Sequence, residues 1–497
     1  MALVQNFPFL SIILTLSGGV ICSVLKGHGA RKYSTFVLCT VLIGSLLTLA
    51  HVLSTGEAYV YMMGHFPAPW GNEIRVGILE TMMAALFSGI MLLSLMGGMH
   101  HIFEDTEDTK SNLYFTLVML LSASLLALVY TNDLFTGYVF VEINTIASCA
   151  LVMIRYRSGK ALVATVRYLF MSLLGSGLFL IGITILYDIT GHLLMENIAE
   201  SVAVLFKTGT YAFPLSVVIV LFSMGLAIKS ACFPFHTWLP GAHGNATVSS
   251  SSILSGLVLK GYIFLLIKIF YRVIGMEIIF QQRATNVLFI FGVLAMIVGS
   301  IKAIQEKDLK RMLAYSSVAQ IGYIFLGIGL GTEAGIAAAC LHIIVHAITK
   351  PMLFTACGGF MDVSGGSKKF SELQGAGLRD KLSGFAFIVG AMSMIGIPFF
   401  AGFISKVYLT TSAIETLSLK TVIALAALAI STLLNACYYI PAMLVLFTHP
   451  KQEAVSVHPR PKAMSLSLWM FIGLNFLMGC FSQPIVNAVI QGIAMFR

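Results

Sequence analysis

Apolar residues run in stretches of about twenty, parted by short polar connections, along most of the chain. Twenty residues wound as a helix cross the hydrocarbon core of a bilayer, which is about 30 Å thick. The pattern predicts helices over roughly 7–25, 34–53, 77–99, 113–131, 134–154, 161–187 and 211–232. It continues with roughly 249–269, 285–303, 309–330, 334–360, 382–409, 421–447 and 464–491, about fourteen spans in all. The longest polar connection is some twenty residues, so no separate soluble domain is expected. The expectation is an all-α polytopic membrane protein.

Two of these spans are interrupted. Span seven runs into MGLAIKSACFPFHTWLPGAHG, where Pro234, Pro240, Gly241 and Gly244 break the helix just after Lys229. Span twelve, MSMIGIPFFAGFISKVYL, is broken by Gly396, Pro398 and Gly402, with Lys406 after the break. Irregular backbone at membrane depth survives only where protein buries it or it lines a wet cavity. Spans seven and twelve are five apart. Five is odd, so two tandem five-helix units must face opposite ways, as in inverted-repeat transporters. The predicted organisation is an N-terminal three-helix segment (1–110), a first repeat (111–270), a second, inverted repeat (284–447) and a C-terminal helix (448–497).

Composition agrees with a membrane solvent. The chain has 497 residues, 58% hydrophobic and 10% charged, where soluble proteins carry about 25% charged residues. The net charge of +9 does not point to nucleic acid, because the basic residues sit in short connections between apolar runs. One set of alternate connections holds Lys26, Arg31, Lys32, Lys110, Arg155, Arg157, Lys160, Lys302, Lys307, Lys310, Arg311, Lys368, Lys369, Arg379, Lys381, Lys451, Arg460 and Lys462. The other set holds only Arg75, Lys207, Arg272, Arg283 and Lys420, with Arg497 at the terminus. The positive-inside bias makes the first set cytoplasmic and puts both termini outside. Glu104, Asp105, Glu107 and Asp108 give one cytoplasmic connection an acidic face. The eight cysteines are scattered singly, with no metal-ligand spacing, so no redox centre or other cofactor is expected in this chain. The start, MALVQNFPFL, has no basic n-region, and the first span is expected to be retained.

The charges inside the spans carry the candidate chemistry. A lysine near mid-bilayer costs roughly 2.5–3.5 kcal/mol on insertion scales, and Lys229, Lys260 and Lys406 all stand there. A free lysine titrates near 10.4, and desolvation brings such a group within reach of neutral pH, as an arginine cannot be brought. The competing use is snorkelling to the interface, which suits Lys268 near a helix end. Glu142 in span five forms either a proton-sharing pair with Lys229 or a static buried ion pair. His342 and His346, four apart on one helical face with Lys350 continuing the stripe, read as a proton relay, a metal or haem site, or core polar groups. His236 and His243 either bridge the broken halves through water or satisfy loose backbone. Arg167 either tunes Glu142 or anchors at the interface. Asp133 reads as an N-cap, Glu80 as a charge favoured by a helix N-terminus, and Ser249 to Ser252 as close-packing residues or the lining of a wet path.

The stretches FPFHTWLPGAH, SSILSGLVLKGYIFLL, KDLKRMLAYSSVAQIGY, HAITKPMLF and GIPFFAGFISK, in this order, resemble the antiporter-like subunits of respiratory complex I, membrane-bound hydrogenases and Mrp-type Na+/H+ antiporters. The resemblance covers roughly residues 110–445. It implies fourteen helices with two inverted repeats and proton translocation through Glu142, Lys229, Lys260, His342, His346 and Lys406. Arg167, His236, His243 and Lys350 would act in support. Where the family usually reads Asp, this chain has Gly241, and Ala246-Thr247-Val248 stands near the usual Pro-Thr-Pro. Lys406 and the HAxxK pattern at 346–350 look more like the hydrogenase and Mrp branches. The resemblance further implies additional antiporter-like subunits and iron–sulfur or hydrogenase-like subunits as partners, H+ with or without Na+ as the transported ion, and a prokaryotic inner membrane as the site. A Na+/H+ antiporter subunit is the first rival to the redox-driven reading. A stand-alone carrier of an organic solute and a structural scaffold are the others.

Overall fold

A computed structural model describes residues 2–66, 71–449 and 460–496. Lys451, Arg497 and the side chain of Asp108, used above for charge, lie outside the described residues.

The chain opens with α1 (Ala2–Val24) and α2 (Gly27–Thr55), followed by strands β1 (Tyr59–Met62) and β2 (Glu73–Val76). Helices α3 (Ile78–Gly97), α4 (Met99–Asp105), α5 (Ser111–Tyr130), α6 (Leu134–Met153), α7 (Gly159–Thr190) and α8 (Met195–Thr208) come next. Helix α9 (Ala212–Lys229) precedes the first break, which contains α10 (Leu239–Asn245). Beyond it lie α11 (Val248–Ile274), α12 (Ala284–Gln305), α13 (Leu309–Leu330), α14 (Glu333–Asp362), α15 (Lys381–Ile395), α16 (Ala401–Glu415), α17 (Leu419–Phe447), α18 (Lys462–Cys480) and α19 (Gln483–Ala494).

Thirteen of the described helices are long and apolar enough to cross a membrane. The remaining predicted span, span twelve, is the pair α15/α16, split where Gly396 takes φ +96° and Phe399 φ +72°. Span seven breaks as its prolines and glycines foretell. The helical fold also carries one short strand pair that the pattern did not predict: β1 and β2 pair antiparallel, Tyr59 opposite Val76 and Met62 opposite Glu73. One span and one further connection are also structured differently from the expectation. Span fourteen is not one helix, because the backbone leaves the helix at Phe481 and α19 restarts with Pro484 in its first turn. The connection after span six folds as amphipathic α8, burying Met195, Ile198 and Val202 at helical spacing.

Helices α11 and α14 form the centre, their spanning stretches wholly buried, while α1, α2, α7, α17 and α18 leave more than half of theirs uncovered. Without a hydrophobic drive between helices in lipid, close contact rests on small residues. Gly175 on α7 and Gly225 on α9 meet backbone to backbone; a Cβ on either would stand 2.7 Å from the other's carbonyl oxygen. That contact brings α9 close to α7 one turn before Lys229. Asp133 caps α6 through the Thr136 amide at 2.6 Å, as expected, and Asp308 caps α13 through Arg311.

Candidate functional site

Lys229 is the last residue of α9 and is fully buried. Its amine donates to Thr145 Oγ1 on α6 at 2.6 Å and lies 5.3 Å from the centre of the Tyr262 ring on α11. The Thr145 hydroxyl spends its own proton on the Val141 carbonyl, which leaves its oxygen to accept. Tyr262 in turn donates to Asn144, and Asn144 to Ser124. The predicted Glu142 partner makes no ion pair with Lys229 among the described residues. Glu142 sits one turn before Thr145 on a half-exposed face, between exposed Val139 and Ile146, and its Oε1 is out of water without a hydrogen bond. It is the acidic group whose field reaches Lys229.

On α11 the helix widens into a π turn over Leu254–Val258, and the Lys260 amine takes the Ser255 carbonyl just inside it. Gly256, within that turn, leaves room for Pro351 of α14, against which a Cβ would stand 2.5 Å from Cγ. Pro351 withdraws one backbone donor from α14 without ending the helix. Immediately before it come His342, His346 and Lys350, all fully buried.

His342 Nε2 lies 3.1 Å from Gln320 Oε1 and Nδ1 lies 2.9 Å from the Ser405 hydroxyl. The amide oxygen only accepts and the hydroxyl can donate or accept. The ring therefore keeps both partners whether neutral or protonated. His346 stacks 6.3 Å from His342, and neither of its ring nitrogens has a partner among the described residues. Buried and unpaired, such a nitrogen costs about 1–3 kcal/mol unless water meets it. The charged and titratable groups around His346 are Lys260, Lys350, His342 and His243. His243, on α10, stacks on Phe354 at 5.0 Å and likewise has two unpartnered nitrogens. His236 stacks on Phe233 and has one.

Lys406 on α16 donates to the Ile395 carbonyl at 2.8 Å and to Thr432 at 3.2 Å, 4.9 Å from the centre of the Tyr323 ring. The same Tyr323 stacks on His342 at 5.2 Å. A hydrogen-bonded chain also joins Lys350 to Tyr323. Lys350 Nζ donates to Tyr439 at 3.2 Å, and Tyr439 meets Ser316 at 2.9 Å. Ser316 meets Tyr438 at 2.9 Å, Tyr438 donates to Asn435 at 2.6 Å, and Asn435 donates to Tyr323 at 3.3 Å. Sequence reasoning missed this chain, since hydroxyls scattered through apolar runs carry no periodic signal.

Other sequence-derived placements change. Arg167 is exposed on α7, which leaves anchoring as the reading the structure favours over tuning of Glu142. Lys268 does not snorkel: fully buried, it donates to the Val129 and Thr131 carbonyls at the end of α5, at 2.8 and 2.5 Å. Lys310 is no loop charge but is buried on the Ala246 carbonyl at 2.6 Å. Glu80 does more than meet a helix terminus, pairing with Arg75 at 2.6 Å with both side chains buried. Ser249 to Ser252 are all buried; Ser249 bonds the Ser94 carbonyl and Ser250 the Leu151 carbonyl, which is the packing use.

The family profile described as "NADH:quinone oxidoreductase/Mrp antiporter, TM" matches residues 131–434, which hold every lysine and histidine of this site. The chain belongs to that family. An NADH-quinone oxidoreductase subunit N of Desulforudis audaxviator is 30% identical, the alignment covering 98% of each chain. A Na(+)/H(+) antiporter subunit of Alkalihalophilus pseudofirmus is 26% identical, covering 98% of this chain and 96% of that one. Among solved structures, a chain of the membrane-bound sulfane sulfur reductase, an archaeal respiratory membrane complex, superposes with TM-score 0.87 at 24% identity over 100% of this chain and 97% of its own. A chain of the Mrp complex from a Dietzia species superposes equally well, TM-score 0.87 at 23% identity, over 99% and 97%. The NADH:quinone oxidoreductase/Mrp antiporter fold thus extends beyond the matched segment to both ends of this chain, which is an integral, multi-pass membrane protein.

Proposed function

We propose that this chain is a proton-translocating, antiporter-like subunit of a multisubunit, redox-driven membrane complex of the complex I or membrane-bound hydrogenase type. The observation that carries the reading is the set of buried groups Lys229, Lys260, His342, His346 and Lys406, in which His346, like His243 on α10, has unmet hydrogen-bonding capacity. Protons enter from the cytoplasm toward Lys229 and Glu142, cross the centre by Lys260 and the two histidines of α14, and leave by Lys406. His236, His243 and Lys350 support the central passage, and Arg167 anchors α7. Charging one site repels charge on the next, and in a low dielectric that repulsion is strong enough to drive transfer. The placement of basic connections supports cytoplasmic entry and external termini, and the Desulforudis and Alkalihalophilus relatives support a prokaryotic inner membrane. The two repeats serve as the two halves of the path.

The energy comes from partner subunits, since the cysteine pattern offers no redox centre here. The Alkalihalophilus antiporter relative and the Dietzia Mrp fold favour a second reading, a subunit of a Na+/H+ antiporter whose energy is an opposing ion gradient. Co-purification of an iron–sulfur or hydrogenase-like polypeptide decides for the first. The shared mechanism is tested by Lys229→Ala and Glu142→Ala in inverted vesicles. Both are expected to abolish coupled proton movement with assembly intact; full transport in both variants overturns the assignment.

A further inference from the structure

We infer that His101, Glu104 and Asp362 form a binding site for a divalent cation of the zinc type, apart from those buried groups. His101 and Glu104 lie one turn apart on α4, and Asp362 is the last residue of α14. One ligating atom from each falls within 4.8 Å of the other two. His101 is buried, and its Nε2 lies 2.7 Å from Asp362 Oδ1. In the empty site Nε2–H donates to that carboxylate, and Nδ1, also out of water, has no partner among the described residues. An ion bound at Nε2 takes the place of that proton, and the neutral ring then carries its proton on Nδ1.

Ligands about 2.0–2.1 Å from a tetrahedral ion stand about 3.3 Å apart. A separation of 2.7 Å thus has to open by roughly half an ångström, and the Asp362 carboxylate is a quarter exposed, free to yield. The three groups face a cavity of about 320 Å³, which has room for water as a fourth ligand.

Charge also fits. Two arginines line the cavity, but Arg155 is engaged by Asp105 at 3.2 Å and Arg460 by Asp380. That leaves the Glu104 and Asp362 carboxylates with a neutral imidazole, a charge of −2 for a divalent ion. One nitrogen and two oxygens suit zinc-like ions over magnesium or calcium, which take oxygen alone. His100, 2.9 Å from Glu104 Oε1, holds that carboxylate from the outer side. A bound ion ties α4 to the end of the helix that carries His342, His346 and Lys350. The inference is independent of the transport reading.

The test titrates Co2+, then Zn2+, into the full-length chain purified in detergent with its associated subunits. Expected are one Co2+ per chain, the visible absorption of a four-coordinate site, and its loss on adding Zn2+. Glu104→Gln, at an exposed position that the fold does not need, should weaken binding at least about tenfold. His101→Gln should remove the absorption, and the control Lys32→Gln should change nothing. A six-coordinate spectrum, or equal affinity in the wild type and the Glu104→Gln variant, overturns the site.

Discussion

Lys229 gives its hydrogen bond to Thr145, one helical turn beyond Glu142, and not to Glu142 itself. The amine is thereby held by a neutral oxygen, with the carboxylate acting from farther away. Such a lysine can lose its proton without leaving a naked carboxylate bonded to it. Thr145→Val keeps the volume and removes the acceptor; a hydrogen bond to a charged group is worth about 1.5–3 kcal/mol. Proton transport should fall at least about tenfold with assembly preserved, and Thr145→Ser should restore it. Flux in reconstituted vesicles, beside the thermal midpoint, checks both.

Gly175 is wedged between the Gly225 carbonyl and the Lys229 side chain, whose Cγ would lie 3.0 Å from an added Cβ. Gly175→Val should part α7 from α9 and lower stability by about 1–3 kcal/mol, the usual cost of overpacking. Transport should fall in proportion as Lys229 is displaced. A stable variant with wild-type flux would show that the close approach is not needed.

Gly396 ends α15 at φ +96°, and an added Cβ would lie 2.8 Å from Lys406 Cδ. Gly396→Ala meets two penalties, the left-handed backbone at about 1–2 kcal/mol and the displaced lysine. Gly402→Ala, whose Cβ would collide with the Ser393 carbonyl oxygen, should disrupt the same break by sterics alone. Both variants should melt earlier, but only Gly396→Ala at matched folded fraction should slow proton release.

The Arg75–Glu80 pair is buried on both sides, and Arg75 also takes the Met495 carbonyl. Removing one partner of such a pair typically costs about 3–5 kcal/mol. Glu80→Leu should therefore be strongly destabilising in a detergent melt, and the double variant with Arg75→Met less so than the sum of the singles.

The spans were legible because a run of twenty apolar residues has one meaning in this solvent, and the breaks because prolines and glycines cluster at Pro234–Gly244 and Gly396–Gly402, where together they disfavour a continuous helix. Family motifs made Lys229, Lys260 and Lys406 legible as candidates. Which atoms they bond was not. Helical spacing states a residue's face, but Thr145 against Lys229 and Tyr439 against Lys350 come from helices far apart in sequence. Lys268 and Lys310 were misplaced for a related reason. Distance from a span's end says little about burial when the neighbouring helix offers carbonyls to cover the amine. The β1/β2 hairpin was missed because Tyr59–Met62 and Glu73–Val76 are four residues each, too short for alternation to stand out.

The π turn at Leu254–Val258 has a consequence for Lys260. A helix advances about 100° per residue, so the extra residue in the widened turn offsets everything after it by that angle. Deleting one residue there removes the widening and the offset together, so the regular helix that results still presents Lys260 to α14. Winding the turn regularly with every residue kept has the opposite effect: the chain would still thread the bilayer, with its central cation aimed at the wrong neighbour.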